Sequence, residues 1–190
     1  MNIVLSYLVP GLWIALFVVW GIEALRSKQT QQREQASSRS IHLGLMLLSF
    51  FLTLMPTIKL GPLNAHILPE TLPFALLGCL IEALGLGFAI AARHYLGQNW
   101  SGTITTKRDH TLIQSGPYAL ARHPIYTGWL VGLLGAALAY GEWRSLIGVA
   151  VMLAALIRKI TIEEGYLVRQ FGIEYNQYRQ KVKALVPFVW

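Results

Sequence analysis

The feature that most constrains this chain is a series of long apolar runs, each close to the length that crosses a bilayer. Three occupy residues 3–25, 41–58 and 72–92, and two shorter ones occupy 125–140 and 143–157. A spanning helix needs about 20 apolar residues, which the first three runs approach or exceed. Apolar residues make up 54% of the chain and charged residues only 13%, a balance that excludes an ordinary soluble enzyme.

The last two apolar runs are separated by little more than Gly141 and Glu142. Each is short for a full span, so together they predict a tight helical hairpin. The expected fold is all-α, a polytopic integral membrane protein of about five transmembrane helices. We divide it into residues 1–92, which hold the first three helices, and residues 93–190, which hold a polar loop, the hairpin and a C-terminal helix.

Charge distribution predicts the orientation of these helices. The polar segments 26–40 and 93–124 and the tail from residue 158 each carry a net charge of +3, whereas the linker 59–71 and the hairpin turn are neutral. Positive loops stay in the cytoplasm, so we expect the N-terminus outside and both long polar segments inside, in the inner membrane if the source is bacterial. The net charge of +7 forms no basic block, so we expect no nucleic-acid partner.

Several isolated residues limit the chemistry. Cys79 is the single cysteine, so no intrachain disulfide can form. His94, His110 and His123 lack metal-ligand spacing, and we expect no metal site. Glu82 lies inside the third apolar run, where an ionisable group is costly; a structural hydrogen bond and a place in an active-site cavity both remain open.

Small residues recur at helical spacing in the third and fourth runs. Such rows let helices approach closely in lipid, so we interpret them as packing surfaces rather than ligand sites. Their members are Gly78, Gly85 and Gly87 in the third run, and Gly128, Gly132 and Ala136 in the fourth.

Polar side chains that could take part in binding or catalysis cluster at two helix ends. His123 precedes Pro124 and is therefore biased out of the α region, which places its imidazole at a bend beside Tyr126. Lys159 and Glu163 are four residues apart and share a helix face. Without further information, an amphipathic interface loop and a solvated salt-bridged helix would also explain these stretches.

The motifs in these two stretches resemble one family of membrane enzymes. The segment DHTLIQSGPYALARHPIYTG, followed by EEGYLVRQFGIEYNQYRQKV and a closing VPF, resembles the isoprenylcysteine carboxyl methyltransferase family. RHPxY alone is shared with phospholipid methyltransferases and membrane sterol reductases. The preceding HTLIxxGxY, the LGQNWS segment and the later FGxEYxxY make the match specific. The resemblance covers residues 93–190, about half the chain.

This resemblance implies methyl transfer from S-adenosylmethionine to the carboxylate of a lipophilic, isoprenylcysteine-like substrate that enters from the bilayer. Residues 93–190 would then be the catalytic region, at the cytoplasmic face. Arg93 corresponds to an arginine that orients the substrate carboxylate. A second family arginine is replaced by Lys159, with Arg158 one place earlier. The implied cofactor contacts are His110, Thr111, Leu112, Ile113, Tyr118, His123, Pro124, Ile125, Tyr126 and Glu163.

Three alternatives use the same residues differently. A phospholipid or small-lipid N-methyltransferase would keep the cofactor but methylate an amine, a role that Arg93 and Lys159 disfavour. A sterol-type reductase would use NADPH, whose 2′-phosphate could bind Lys107 and Arg108. A structural or carrier membrane protein would use the polar stretches only to cap a helix bundle.

Overall fold

The structure is a computed structural model. It describes residues 3–24, 30–33, 36–97, 105–107 and 112–187.

Helices dominate the described residues, as predicted. They are α1 (Ile3–Ala24), α2 (Ala36–Leu54), α3 (Leu72–Leu96), α4 (Pro117–Leu120), α5 (Pro124–Tyr140), α6 (Trp143–Phe171) and α7 (Ile173–Lys181), with a 3₁₀ turn at Gly61–Asn64. Among the described residues, α1, α2, α3 and α6 are long and apolar enough to cross a membrane, whereas α5 is apolar but shorter. The helical membrane architecture is therefore confirmed, and the count of five spans stays a prediction.

Several helix boundaries differ from the ends of the apolar runs, and two of the differences have a clear cause. The second helix covers Ala36–Leu54. It ends before its apolar run does at residue 58, because Pro56 disfavours helix in the residue before it. Helix α6 continues beyond the end of its apolar run at residue 157 to Phe171. Hydropathy marks where a helix leaves lipid, whereas the helix itself ends where Gly172 adopts a positive φ of 55°.

Close approach of α3 and α5 depends on glycines, as the small-residue rows predicted. A Cβ added to Gly85 would lie 2.5 Å from the backbone nitrogen of Gly132, and one added to Gly135 would lie 2.3 Å from that of Glu82. Neither distance is compatible with a real side chain. Gly87, by contrast, would meet nothing within 4 Å, so it does not belong to the packing row.

The two C-terminal apolar helices are joined by a short turn but find their main partners elsewhere, so the tight hairpin stays a prediction. Gly141 ends α5 in the left-handed conformation, with φ 63°, and Glu142 is the N-cap of α6. However, α5 packs chiefly on α3, and α6 packs chiefly on α2. At the second contact the Ser49 hydroxyl donates to the Gly148 carbonyl, at 2.7 Å.

Aromatic rings fill the centre of the bundle. The Trp13 ring meets Phe50 edge-on at 5.0 Å and Trp129 at 6.1 Å between centroids. These rings join α1, α2 and α5 into one buried cluster. Three helices that are distant in sequence are thereby held side by side.

The polar segments that connect the helices lie at the two ends of this bundle. At one end the Asn64 amide donates to the Glu142 carboxylate, at 3.1 Å, so the two neutral connections lie together. At the other end β1 (Thr30–Arg33) pairs antiparallel with β2 (Thr105–Lys107). Both long basic segments therefore share an end, as the charge pattern requires.

Candidate active site

The bend before α5 is formed by Arg122, His123 and Pro124. His123 is the N-cap residue, with φ −124° and ψ 60°, and Pro124 begins the helix, where its missing N–H costs least. The backbone N–H groups of Arg122 and His123 donate to the carbonyls of Lys183 and Ala184, at 2.8 and 3.0 Å. The C-terminal tail thus holds the bend through two consecutive backbone hydrogen bonds.

The Glu163 carboxylate is the centre of a polar cluster between α5 and α6. The Tyr126 hydroxyl donates to its Oε1 at 2.6 Å, and the Lys159 Nζ lies 3.4 Å from the same oxygen. The other oxygen, Oε2, lies 3.6 Å from the His123 Nδ1. The four-residue spacing of Lys159 and Glu163 thus brings these two side chains together, as expected.

Aromatic faces line this cluster on one side. The rings of His123 and Tyr126 are nearly parallel, with 3° between their planes and 5.6 Å between centroids. The Lys159 ammonium lies 5.8 Å from the Tyr126 centroid, within the range of a cation–π contact. The Tyr126 ring therefore already has a cation next to it.

Glu164 has a different set of partners from its neighbour Glu163. Its Oε1 accepts from the Arg122 Nε at 2.8 Å and from Nη2 at 2.6 Å, and lies 3.4 Å from the His123 Nε2. The Arg179 Nε approaches Oε2 at 3.5 Å. Because these are charge-assisted contacts, Glu164 ties α6 to the bend and to α7.

Tyr118 connects the short helix α4 to two other elements. The Tyr178 hydroxyl donates to the Tyr118 carbonyl at 2.5 Å, and the Tyr118 hydroxyl donates to the Ala92 carbonyl at 3.4 Å. Burial raises the pKa of both phenols above the ordinary tyrosine value, so both remain protonated donors at neutral pH. Tyr118 is thereby held between α7 and the end of α3.

Arg93 lies at this end of α3 and is only 2% exposed. Its Nη1 donates to the Gly97 carbonyl at 3.0 Å, and its Nε lies 3.5 Å from the Glu23 carboxylate of α1. The preceding residue, Ala92, is the one that Tyr118 contacts. Arg93 is therefore the residue next to the one that Tyr118 contacts.

Arg158 faces away from the Glu163 cluster. Its guanidinium donates to the Ser38 carbonyl at 3.1 Å and to the Ser38 hydroxyl at 2.8 Å, and lies 3.3 Å from the His42 Nδ1. These contacts join α6 to α2. Of the two basic residues at the family's arginine position, Lys159 is the one beside Glu163.

The remaining predicted contacts fall on the loop before α4 and on α5. His110 and Thr111 lie outside the described residues. Leu112 and Ile113 are half-buried. Ile125 is buried in the core cluster with the aromatic residues; only the backbone of such a residue could contact a polar ligand.

Glu82 lies in the interior of the bundle, against the α5 backbone at Gly135. Its side chain is 0% exposed, and the Trp13 indole of α1 lies within hydrogen-bonding reach of its carboxylate. The structural hydrogen bond and the place in an active-site cavity therefore both stay predictions for Glu82.

Several residues of the site carry no role in the sequence-based prediction. Glu164 and Arg122 are inside the recognised motifs, and their adjacency to Glu163 and His123 is the signal that could have drawn attention to them. Tyr178 and Arg179 also lie inside the recognised C-terminal motif, whereas Glu23 lies outside the motifs and has no local signal. The residues without a predicted role are Glu23, Arg122, Glu164, Tyr178 and Arg179.

A family model matches the region that contains most of this cluster. Residues 76–169 match the isoprenylcysteine carboxyl methyltransferase family. This range includes Arg93, the bend, Lys159 and both glutamates. It ends before α7.

Curated relatives carry the same name. The chain is 37% identical over 109 residues to the protein-S-isoprenylcysteine O-methyltransferase of Schizosaccharomyces pombe, covering 56% of this chain and 46% of the relative. It is 35% identical over 116 residues to that of Saccharomyces cerevisiae, covering 60% and 48%. The human enzyme is 30% identical over 115 residues, covering 59% and 40%. The chain thus spans about half the length of the relatives it matches.

A solved structure shares the fold over a larger part of the chain. It is a eukaryotic intramembrane Ras methyltransferase, an isoprenylcysteine carboxyl methyltransferase, with a TM-score of 0.55 and 24% identity. The match covers 82% of this chain and 54% of the other, a larger share of this chain than the family model matches. Through residues 76–169, 94 of its 190 residues, the chain matches the isoprenylcysteine carboxyl methyltransferase family.

Proposed function

We propose that this protein transfers a methyl group from S-adenosylmethionine to the carboxylate of a lipophilic, isoprenylcysteine-like substrate. The observation that carries the proposal is the Glu163 carboxylate held by Tyr126 and Lys159 beside the His123 bend, within the segment that matches the methyltransferase family. The substrate class follows from the names of the relatives. Apolar helices around the site suit an acceptor that stays in the bilayer.

The donor set of the cluster fits S-adenosylmethionine. A carboxylate such as Glu163 pairs with an ammonium group, and parallel aromatic faces such as His123 and Tyr126 suit a cationic or planar ligand. Glu163 is only 19% exposed, so its charge is weakly screened. When bound, the cofactor supplies a methyl group on a positively charged sulfur.

The protein's own task in this reaction is positioning. The acceptor is already a carboxylate, so a donor held by Glu163 and the His123 and Tyr126 rings would supply an electrophilic methyl group to one of its oxygens, and the sulfur would keep the electron pair of the broken bond. No proton moves, and no general base is required. The rate then depends on holding the reacting atoms in line and on excluding water from the acceptor.

Two cations are available for the acceptor carboxylate. Lys159 lies beside Glu163, at the end of the bundle that holds the site. Arg93 follows Ala92, whose carbonyl accepts from the Tyr118 hydroxyl. Lysine is a point charge and lacks the planar fork of arginine, so we assign bidentate recognition to Arg93. Arg158, which bonds to Ser38 on α2, is assigned a structural role instead.

We also propose that the site faces the cytoplasm and the N-terminus lies outside. The three basic segments support this orientation, since two of them meet in the β1–β2 pair at the end of the bundle that holds the site. In this view residues 93–190 supply most of the catalytic region. The first three helices supply the scaffold, of which α3 is the part that packs on α5.

The test is a methyl-transfer assay with the purified full chain in detergent. S-adenosylmethionine labelled on its methyl group is supplied with an amine-blocked S-farnesylcysteine, and binding is measured separately by calorimetry. We expect cofactor binding and a lipid-soluble product whose label is released by base, as from an ester. A base-stable label on an amine lipid would identify the N-methyltransferase alternative, and absence of cofactor binding would refute the proposal.

A further inference from the structure

Glu23 is the single charged residue of α1, and it lies one residue before the end of that helix. A negative charge in the last turn opposes the helix dipole, and lipid-facing surroundings add a desolvation cost. A carboxylate at this position therefore needs a compensating cation. Two basic residues of α3, Arg93 and His94, contact it.

These two contacts differ in burial. The Arg93 Nε lies 3.5 Å from the Glu23 Oε2, and the side chains are 2% and 19% exposed. The His94 Nδ1 lies 3.4 Å from Oε1, but its side chain is 84% exposed. Solvent screens the second contact more than the first, so Arg93 is the principal partner.

The pair with Glu23 fixes one edge of the Arg93 guanidinium. Nη1 is fixed separately by the Gly97 carbonyl at the C-cap of α3, at 3.0 Å. Since Gly97 belongs to the same helix end as Arg93, it limits the side chain but not its direction relative to α1. Glu23 supplies that second reference point, from a helix outside the family-matched segment.

We infer that Glu23 is a positioning residue, which holds the Arg93 guanidinium in the direction needed for the acceptor carboxylate. The first helix is thereby part of the acceptor side of the site. The inference rests on the proposed function, because it assigns Arg93 to the acceptor. It predicts that removing the Glu23 charge damages use of the acceptor and leaves the Glu163 cluster intact.

The experiment compares Glu23→Gln, Arg93→Gln, the double variant and His94→Gln in the full chain. For Glu23→Gln we expect kcat/KM for amine-blocked S-farnesylcysteine to fall by about tenfold, with S-adenosylmethionine affinity and thermal midpoint unchanged. The double variant should resemble Arg93→Gln, because the two residues act as one unit. His94→Gln is the matched control, since it removes only the exposed contact to the same carboxylate, and it should retain wild-type kinetics.

Equal losses of acceptor use, cofactor affinity and thermal midpoint in Glu23→Gln would show a merely structural role and overturn the inference. So would wild-type kinetics in Glu23→Gln alongside a defective Arg93→Gln. Equilibrium binding of the labelled acceptor, in the presence of S-adenosylhomocysteine, separates this inference from the proposed function. If the wild-type chain binds the acceptor but transfers no methyl group, the proposed function fails, and weaker acceptor binding by Glu23→Gln still supports the positioning role. If the wild-type chain binds no acceptor, both the proposed function and the inference fail.

Discussion

Glu163 and Glu164 are adjacent in sequence but have different surroundings, and this difference assigns their roles. Glu164 is engaged by Arg122, His123 and Arg179, so its charge is already neutralised by the protein. Glu163 receives one neutral hydroxyl and a lysine, lies 3.6 Å from the His123 Nδ1, and has no arginine partner among the described residues. Of the two carboxylates, Glu163 is therefore the one suited to a cationic ligand.

Replacing Glu163 by glutamine keeps the shape of the side chain and removes its charge. We expect S-adenosylmethionine affinity to fall by about tenfold or more, since a charge-assisted contact is worth roughly 1.5–3 kcal/mol. Calorimetry on the purified protein measures the change. Glu174→Gln is the control, because Glu174 makes an exposed contact with Gln114; equal losses in both variants would remove Glu163 from the cofactor site.

At the scale of elements, the α3–α5 contact depends on backbone proximity rather than on side-chain interlocking. Gly85 is close enough to the α5 backbone that any side chain must push the helices apart, whereas Gly87, two residues on, faces open space. The same substitution at the two positions therefore tests the packing with its own internal control.

Gly85→Ala should destabilise the protein by about 1–3 kcal/mol, the cost of overpacking a close contact. Gly87→Ala should be neutral or stabilise by about 0.5–1 kcal/mol, because alanine restricts the unfolded chain and favours helix. Thermal unfolding in detergent measures both. Similar midpoints for the two variants would contradict the glycine-dependent packing.

The C-terminal helix α7 is attached through Tyr178, whose hydroxyl donates to the Tyr118 carbonyl. Tyr178→Phe leaves that buried carbonyl without this donor, at a cost of about 1–3 kcal/mol. We expect a lower thermal midpoint and weaker cofactor binding, because Tyr118 is one of the proposed cofactor contacts. Tyr7→Phe, at a residue 75% exposed, should change neither; an unaltered Tyr178→Phe protein would show that α7 is held by other contacts.

At the scale of the whole molecule, the orientation in the membrane can be tested with cysteine labelling. The single native cysteine, Cys79, is buried, so its background reaction should be low. In intact cells, a membrane-impermeant maleimide should label Lys59→Cys, in the neutral linker. Gln177→Cys, on α7, should react only after permeabilisation, and the reverse pattern would invert the proposed topology.

Local spacing predicted those parts of the site that lie within one or two helical turns. Lys159 with Glu163 follows from their four-residue separation, and His123 with Tyr126 follows from the start of a helix after proline. The contact between Arg122 and Glu164 joins residues 42 positions apart. No periodicity predicts such a pair, because it depends on how α5 and α6 are placed side by side.

The sequence by itself determined that the chain is helical, lies in a membrane, carries its basic segments on one side and resembles a methyltransferase family. These properties follow from hydropathy, charge and motifs, which are local in sequence. Tertiary structure alone decided that Arg158 bonds to Ser38 of α2, that Glu164 joins α6 to the bend and α7, and that Glu23 of α1 meets Arg93. The reason is physical: a side chain's partner is set by the packing of helices, and here that packing depends on backbone contact at glycines of α3 and α5.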